Sequence, residues 1–362
     1  PEATLVGVFV NAPADEVSRN AQLLIRAGYV YKVMAGVYAY TPLGIKVLEN
    51  IKQVVREEMN AIGSQEIIMS SLQRKETWEV TDRWDDKKVD VWFKSALQDG
   101  TEVGFGWSHE EAILEMMRQY IKSYKDLPVS VYQIQTKLRN ELRAKSGIMR
   151  GREFIMKDLY SFDRDEKGLH VSYMKMYEAY QRIFQRCGLT FRPVEADSGA
   201  IGGSDTHEFM VLAESGEATV LYCQDTKCDY ASNVEKAAQV VREAGAKEDL
   251  KPLMEKETPG CRTIEEVSRF LGIPPQKMIK TLLYETEKEV VAALVRGDRE
   301  INETKLLNTL GCIRLEMAGA DTVLRVSGAP IGFAGPVGLK NCKIIADPEV
   351  VQITNAVTGA NK

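Results

Sequence analysis

The sequence predicts an α+β protein, in which an antiparallel hairpin lies among helices and a smaller α/β unit follows. Three observations support this. Residues 131–158 alternate in character as two strands joined by a basic, glycine-containing turn, and stretches on either side carry apolar residues at three- and four-residue spacing. From about Glu235 the text changes to a separate, compact run of helix and strand patterns. A chain of 362 residues is long enough for two domains, here placed at 1–235 and 236–362.

In chain order, residues 21–40 read as a short helix followed by a glycine-punctuated aromatic segment, and Pro42-Leu43-Gly44 turns into the first long helix. From Ile45, apolar Leu48, Ile51, Val55, Met59 and Ile62 recur at helical spacing, and Gly63 stands where a C-terminal cap belongs, so this helix is expected to face a core. Residues 65–69 read as a buried strand. Residues 105–111 form a loop leading into a helix at 112–121, with Ser108 placed to cap it. Leu169, Tyr173, Tyr177, Tyr180, Phe184 and Cys187 make another helical stripe, closed by Gly188, and an aromatic stripe at that spacing belongs to a core. Further on, 237–245 is a charged helix and 251–260 a linker. The second domain then has a helix at 263–271, strands at 280–284 and 290–295, a helix from near Asp298 to Gly311, a glycine-rich run at 327–338 and a strand at 343–346.

Hydrophobic content of 44% and charged content of 27% are those of an ordinary globular protein, and a net charge of −5 offers no global field for nucleic acid. Any RNA contact must therefore use local basic patches. The six cysteines show no framework spacing, and there is neither a signal peptide nor an apolar run long enough to span a bilayer, so a cytoplasmic protein without membrane contact is expected. Cys223 and Cys228 could be half of a metal site, but no second pair follows at suitable spacing, so no metal ligands are assigned and a partly buried pair at a strand end is expected.

The hairpin carries the chemistry. At period two, Val131, Gln133, Gln135, Lys137, Arg139 and Glu141 point one way, and Tyr132, Ile134, Thr136 and Leu138 the other. After the turn residues Arg143, Lys145, Gly147, Arg150 and Gly151, the second strand puts Arg152, Phe154, Met156 and Asp158 on one side. One face suits a core and the other a charged ligand. Arginine forks can hold phosphate oxygens, a carboxylate can accept from an adenine amino group, and a phenyl face can carry the base. Each charge-assisted hydrogen bond contributes roughly 1.5–3 kcal/mol. The alternative is a surface hairpin with a solvated polar face.

Arg139-Asn140-Glu141 followed by Met149-Arg150-Gly151-Arg152-Glu153-Phe154 resembles motif 2 of class II aminoacyl-tRNA synthetases, and residues 138–162 as a whole resemble bacterial prolyl-tRNA synthetases. The resemblance implies the class II antiparallel sheet flanked by helices, with the helix and strand of 45–69 as motif 1 at a homodimer interface; Ser70 stands where that motif usually ends in proline. It also implies ATP and Mg²⁺ as cofactors, and L-proline and tRNA(Pro) as substrates. Arg139 would take the α-phosphate, Glu141 the adenine amino group, Phe154 the base by stacking, and Arg150 phosphate or base.

Ser108-His109-Glu110 corresponds to the family's threonine-x-glutamate loop, which holds the substrate proline: a carboxylate supplies charge and a hydroxyl a directional acceptor. The run 198–209 resembles the glycine-rich loop and strand that floor the amino-acid pocket, which makes His207 and Phe209 candidates for lining it; a structural histidine is the alternative. The second domain resembles the editing insertion, through 295–306, Lys280 and Gly332-Phe333-Ala334-Gly335-Pro336. Lys280 is the expected editing lysine, gripping terminal tRNA phosphates, with Gly332 and Pro336 in the loop that orients the ester. Its alternative is a surface lysine at a strand edge.

The implied reaction activates proline to prolyl-adenylate, transfers it to tRNA(Pro) and hydrolyses mischarged alanyl-tRNA(Pro). In the family, the rest of the editing insertion, motif 3 and an anticodon-binding domain come after the point reached at Lys362. A fragment of a longer synthetase is therefore expected, or a truncated relative acting only as a trans-editing deacylase or tRNA-binding module. A class II enzyme for threonine or serine is the third option, against which the editing insertion argues.

Overall fold

The computed structural model describes residues 7–142, 144, 147–197, 206–214, 216, 218–225, 227–237, 248–312 and 314–362. Arg143 and Lys145, the glycine-rich 198–205 and the expected helix at 237–245, apart from Ala237, lie outside the described residues. The chain divides into two compact units. Among the described residues, one takes those up to Pro193 and most of 209–216, and the other takes Val194–Asp197, Thr206–Glu208 and those beyond Gly216.

In the first unit, helix α1 (Arg19–Arg26) precedes a hairpin of β1 (Val30–Met34) and β2 (Val37–Tyr40). Helix α2 (Pro42–Ala61) starts before the expected Ile45, because the Thr41 hydroxyl accepts from Gly44 N–H at 3.3 Å and Pro42 fits the first turn, where no donor is needed. Its C-terminal half packs Val55, Met59 and Ile62 into the core, while Ile45 and Ile51 are exposed, so the expected core stripe holds over only part of the helix.

The buried strand expected at 65–69 is not found. Strand β3 (Gln65–Glu66) is short and lies at the edge of a sheet, and Ile68 is 81% exposed. Next come β4 (Leu72–Arg74), α3 (Lys75–Glu79), β5 (Lys94–Ala96) and β6 (Glu102–Phe105), with β6 central in a three-stranded sheet. Beside this sheet, Trp78, Trp84, Trp92 and Trp107 form a buried cluster with ring centroids 5.0–6.0 Å apart. Gly104 permits this packing, since a Cβ there would collide with the Trp92 ring.

Helix α4 (Glu110–Tyr120) follows. Its N-cap is His109, whose side chain makes no capping bond, so the expected Ser108 cap is not formed. Strands β7 (Val129–Leu138) and β8 (Glu153–Phe162) pair antiparallel along their full length, setting Gln133 opposite Asp158, Gln135 opposite Met156 and Lys137 opposite Phe154. Opposite residues share a face, so the two-sided hairpin forms with the expected phase. Its apolar face packs Tyr132 and Ile134 against α2 and α5 (Glu166–Arg186) with Met59, Ala179 and Ile183. Glu58 on α2 receives Arg182 at 2.6 Å and Arg186 at 2.9 Å, tying α2 to α5.

Strands β9 (Phe191–Glu195) and β10 (His207–Val211) are each divided between the two groupings. In the second unit, β11 (Val220–Tyr222) and β12 (Ala231–Asn233) form a hairpin, and β12 pairs parallel with Glu195. Cys223 and Cys228 lie in the connection between β11 and β12 as free thiols, Cys228 exposed. Helix α6 (Ile264–Leu271) is capped reciprocally by Thr263 and Glu266 and closed by left-handed Gly272.

The main sheet of this unit has the order β15 (Leu315–Met317), β13 (Met278–Thr286), β14 (Val290–Arg296), β16 (Lys343–Ala346), and β17 (Val357–Thr358) also joins β13. Helix α7 (Glu303–Leu310) begins later than expected, because Asn302 caps it through Lys305 N–H at 3.0 Å while Asp298 is held by Arg296 at 2.6 Å. Helix α8 (Ala320–Ser327), absent from the sequence-based expectation, ends at left-handed Gly328, and α9 (Pro348–Val351) follows β16. Val323 and Val326 of α8 pack on Leu283 and Ala292 of the sheet.

Gly335 and Gly359 touch backbone to backbone, and Gly335 N–H donates to Asn361 Oδ1 at 2.7 Å. A Cβ on Gly335 would fall on the Gly359 carbonyl, so Gly335→Ala is expected to destabilise this unit by about 1–3 kcal/mol. Amide hydrogen exchange should quicken at 333–361 first; unchanged protection there would refute the clash. No helix among the described residues is long and apolar enough to cross a membrane.

Candidate functional site

The polar face of the hairpin is not uniformly open to a ligand. Gln133 and Lys137 are fully buried, and their partner is Asp158 across the ladder: Lys137 Nζ lies 2.9 Å from Oδ1, while Gln133 Nε2 donates to Oδ2 at 2.8 Å. Tyr160 OH donates to the same Oδ2 at 2.6 Å. The expectation of a ligand-facing side at 131–141 therefore narrows to its last residues, because Met69 bonds to Gln133 and Gln135, α4 packs on Val131 and the loop before α4 covers Lys137. That loop is attached at several points. Leu138 N–H donates to Gly106 O at 3.2 Å, Gln73 Nε2 to Ser108 O at 3.0 Å, and Lys137 Nζ to His109 Nδ1 at 2.8 Å.

His109 is itself fully buried, with Nε2 3.1 Å from Ser70 O. A carbonyl only accepts and an ammonium only donates, so the neutral imidazole with its proton on Nε2 satisfies both contacts. Burial, with the nearby Lys137 charge, holds the His109 pKa below the usual histidine range; burial likewise lowers that of Lys137, against the pull of Asp158. Next in sequence, Glu110 has Oε2 buried with no hydrogen-bond partner among the described residues, and its charge acts on Lys137, Arg139, His109 and Tyr160. Such an oxygen suits an ammonium. Ser108 is buried beside it.

Arg139 follows directly on β7. Its Nε donates to Trp107 O at 3.3 Å, and its guanidinium carbon lies 5.3 Å from the Phe154 ring centre and 6.0 Å from that of Trp107. Burial draws its pKa below the usual arginine range, with Glu141 and Glu110 opposing. Glu141 receives Arg150 Nε at 3.1 Å and Nη2 at 3.0 Å on one oxygen, Oε2, while Arg152 Nε donates to the Glu141 carbonyl at 3.0 Å. Arg139, Glu141, Arg150, Phe154, Ser108 and Glu110 thus all lie where β7, β8 and the loop before α4 meet. A guanidinium fork, an aromatic face and a carboxylate are placed together.

The remaining candidates lie elsewhere. Phe209 packs among Tyr177, Tyr180, Phe184 and Phe191 with ring centroids 5.2–5.9 Å apart, an aromatic core contact. His207 opens β10 and is partly buried, and the glycine-rich residues before it are not among those described. Lys280 is on β13 and pairs with Val295 of β14, while on the other side β17 reaches only to Ile279 and β15 begins at Tyr284; its Nζ donates to Arg299 O at 2.9 Å and to Glu300 Oε1 at 2.6 Å. Gly332 has φ +98°, and the loop from it to Pro336 is held by Asn361, whose N–H donates to Phe333 O at 3.1 Å.

Lys137, His109 and Asp158 were not singled out by sequence reasoning. The available signal was phase: Lys137 alternates with Gln133 and Arg139, and a lysine in phase with a glutamine on a half-buried strand needs a partner on the facing strand.

Comparison with known proteins adds the following. Residues 92–276 match the model of the tRNA synthetase class II core domain (G, H, P, S and T), and residues 258–362 match that of the aminoacyl-tRNA editing domain. The chain is 60% identical over 350 residues to a proline–tRNA ligase of Pelotomaculum thermopropionicum, covering 97% of this chain and 61% of that protein. It is 53% identical over 362 residues to one of Desulforamulus reducens, covering 99% and 63%. A crystal structure of prolyl-tRNA synthetase from Cryptosporidium parvum with halofuginone and AMPPNP aligns with TM-score 0.49 at 15% identity, over 55% of this chain and 43% of that one. The chain spans about three fifths of the length of the curated relatives it matches.

Proposed function

Because the chain belongs to the class II tRNA synthetase core family (G, H, P, S and T) and carries an aminoacyl-tRNA editing domain, we propose that it activates proline with ATP, charges tRNA(Pro) and edits alanyl-tRNA(Pro). Its identity to proline–tRNA ligases supports proline over the family's other amino acids. The observation that carries the reading is the buried, unpartnered Glu110 Oε2 within electrostatic reach of the half-buried Arg139 guanidinium. Together they match the two charges of the reactants, an ammonium and a phosphate.

In this reading Ser108 and Glu110 hold the proline nitrogen and set its carboxylate toward the α-phosphate of ATP. The carboxylate oxygen attacks phosphorus, pyrophosphate leaves, and Arg139 stabilises the charge on the phosphoryl oxygens. Phe154, with Arg139 already over its ring, stacks the adenine, and Glu141 accepts from the adenine amino group while Arg150 keeps it oriented. Mg²⁺ accompanies the triphosphate. Phosphate oxygens and water would hold it, with one or two carboxylates, as is usual for Mg²⁺. Residues 1–235 serve synthesis while 236–362 serve editing. Exposed Ile45, Val47 and Ile51 on α2 support a homodimer through motif 1, and the reaction class suits the cytoplasm.

Proline-dependent ATP–pyrophosphate exchange tests the synthetic half; exchange driven equally by serine or threonine would sink the proline assignment. For editing, Lys280 offers an ammonium to the tRNA end, in competition with Glu300, and Gly332 and Pro336 shape the loop that orients the ester. Lys280→Ala is expected to slow hydrolysis of alanyl-tRNA(Pro) by about tenfold or more, with exchange unaffected. Hydrolysis without any exchange by the unaltered chain would instead mark a trans-editing deacylase, and tRNA binding with neither activity a binding module.

A further inference from the structure

Lys137 is a fully buried ammonium that the activation steps above do not use. Its contacts run in two directions. Toward the sheet it pairs with Asp158, whose other oxygen is already held by Gln133 and Tyr160. Toward the loop it donates to Nδ1 of His109, the residue between Ser108 and Glu110. His109 passes the constraint on through Nε2 to Ser70 O, and Gly106 leaves the space it needs, because a Cβ there would come within 2.8 Å of the imidazole.

Buried ion pairs contribute little net stability, since desolvation offsets the attraction, and an apolar pair of similar volume would pack as well. This pair is also placed so that the loop's backbone cannot shift without breaking a charge-assisted bond. Ser108 and Glu110 flank His109, the loop side chain it grips. Glu110 Oε2, meanwhile, has no hydrogen-bond partner among the described residues to fix it.

We propose that Lys137 is a positioning residue for the amino-acid half of the site, acting through His109 to hold Ser108 and Glu110 where they receive the proline ammonium. The inference rests on the proline-activating function proposed above. The lysine touches neither reactant. It acts through the neutral imidazole, which accepts from the ammonium at Nδ1 and donates to Ser70 O at Nε2. The nucleotide half, built on Arg139, Phe154 and Glu141, has holds of its own: Phe154 stands opposite Lys137 in the ladder, but Arg139 is tied to Trp107 O and Glu141 to Arg150.

The test compares the unaltered chain with Lys137→Met and with Lys137→Met/Asp158→Asn, the second leaving no unpaired carboxylate. Proline and ATP affinities are measured separately by calorimetry, with circular dichroism as the check on folding. Both variants are expected to weaken proline binding by about tenfold to a hundredfold and to leave ATP binding within about twofold. Recovery of proline affinity in the double variant would show that the pair only balances charge, and equal loss of both ligands would show a general structural role; either overturns the proposal. If the variants fail to fold, nitrogen-15 spectra of the unaltered chain decide. Proline should then shift the His109 ring resonances and ATP should not, and insensitivity to proline overturns the proposal. An unaltered chain that binds no proline instead refutes the functional reading and this inference with it.

Discussion

Arg139→Ala is expected to abolish proline-dependent ATP–pyrophosphate exchange. In the proposed reading this guanidinium meets the phosphates; it is half-buried between Trp107 and Phe154, and among the described residues its Nε donates to Trp107 O at 3.3 Å. In that reading the terminal nitrogens would face a phosphate oxygen in a fork. A donor stabilising charge that develops in a transition state is worth on the order of 10²–10³ in rate, and loss of ground-state phosphate binding adds to it. Arg139→Lys should recover little, because a point charge lacks the planar fork and the stacking on two rings. Exchange rates at saturating proline and ATP measure the effect. Retained exchange in Arg139→Ala would remove this residue from the chemistry and leave its burial unexplained.

Trp78→Ala should produce the largest loss of stability, about 3–5 kcal/mol by the usual cost of truncating a buried aromatic. Trp78 is fully buried, with ring centroids 5.1 Å from Trp92 and 5.4 Å from Trp107, and its indole N–H donates to Gln73 Oε1 at 2.5 Å. Gln73 in turn holds the Ser108 carbonyl, so the damage reaches the amino-acid loop as well as the core. All four tryptophans of the chain belong to this cluster, which makes fluorescence in a urea titration a report on the first unit alone. Trp78→Phe should cost less, keeping most of the contact area while losing the hydrogen bond. A midpoint unchanged by Trp78→Ala would mean that the cluster collapses around the void, contrary to the tight ring contacts.

Much of the architecture was legible from patterns of spacing. The phase of the β7–β8 hairpin, helix α5 with the aromatic middle of its stripe, though Leu169 and Cys187 at its ends are exposed, and β13, β14, β16 and α6 of the second unit follow from alternation, helical periodicity and caps such as Thr263 and Gly272. These are local signals, carried by residues a few positions apart. Elements that depend on what packs beside them were misjudged. Residues 65–69 are as apolar as a buried strand, yet Ile68 is exposed because β3 lies at a sheet edge, and α2 carries an apolar stripe whose first half faces outward.

The same division runs through the candidate site. Charge type, aromatic content and the likeness to class II synthetases were written in the order of residues along the hairpin and the Ser108-His109-Glu110 loop, since they depend on side-chain chemistry in sequence. Which of those polar residues face a reactant and which are interior was set by folding. Lys137 and Arg139 sit two residues apart on the same face, yet the loop before α4 closes over the first and leaves the second at its rim, where the strand ends. Alternation assigns a side chain to a face of the sheet, and only the neighbouring element that covers or spares that face makes it a buried strut or a binding group.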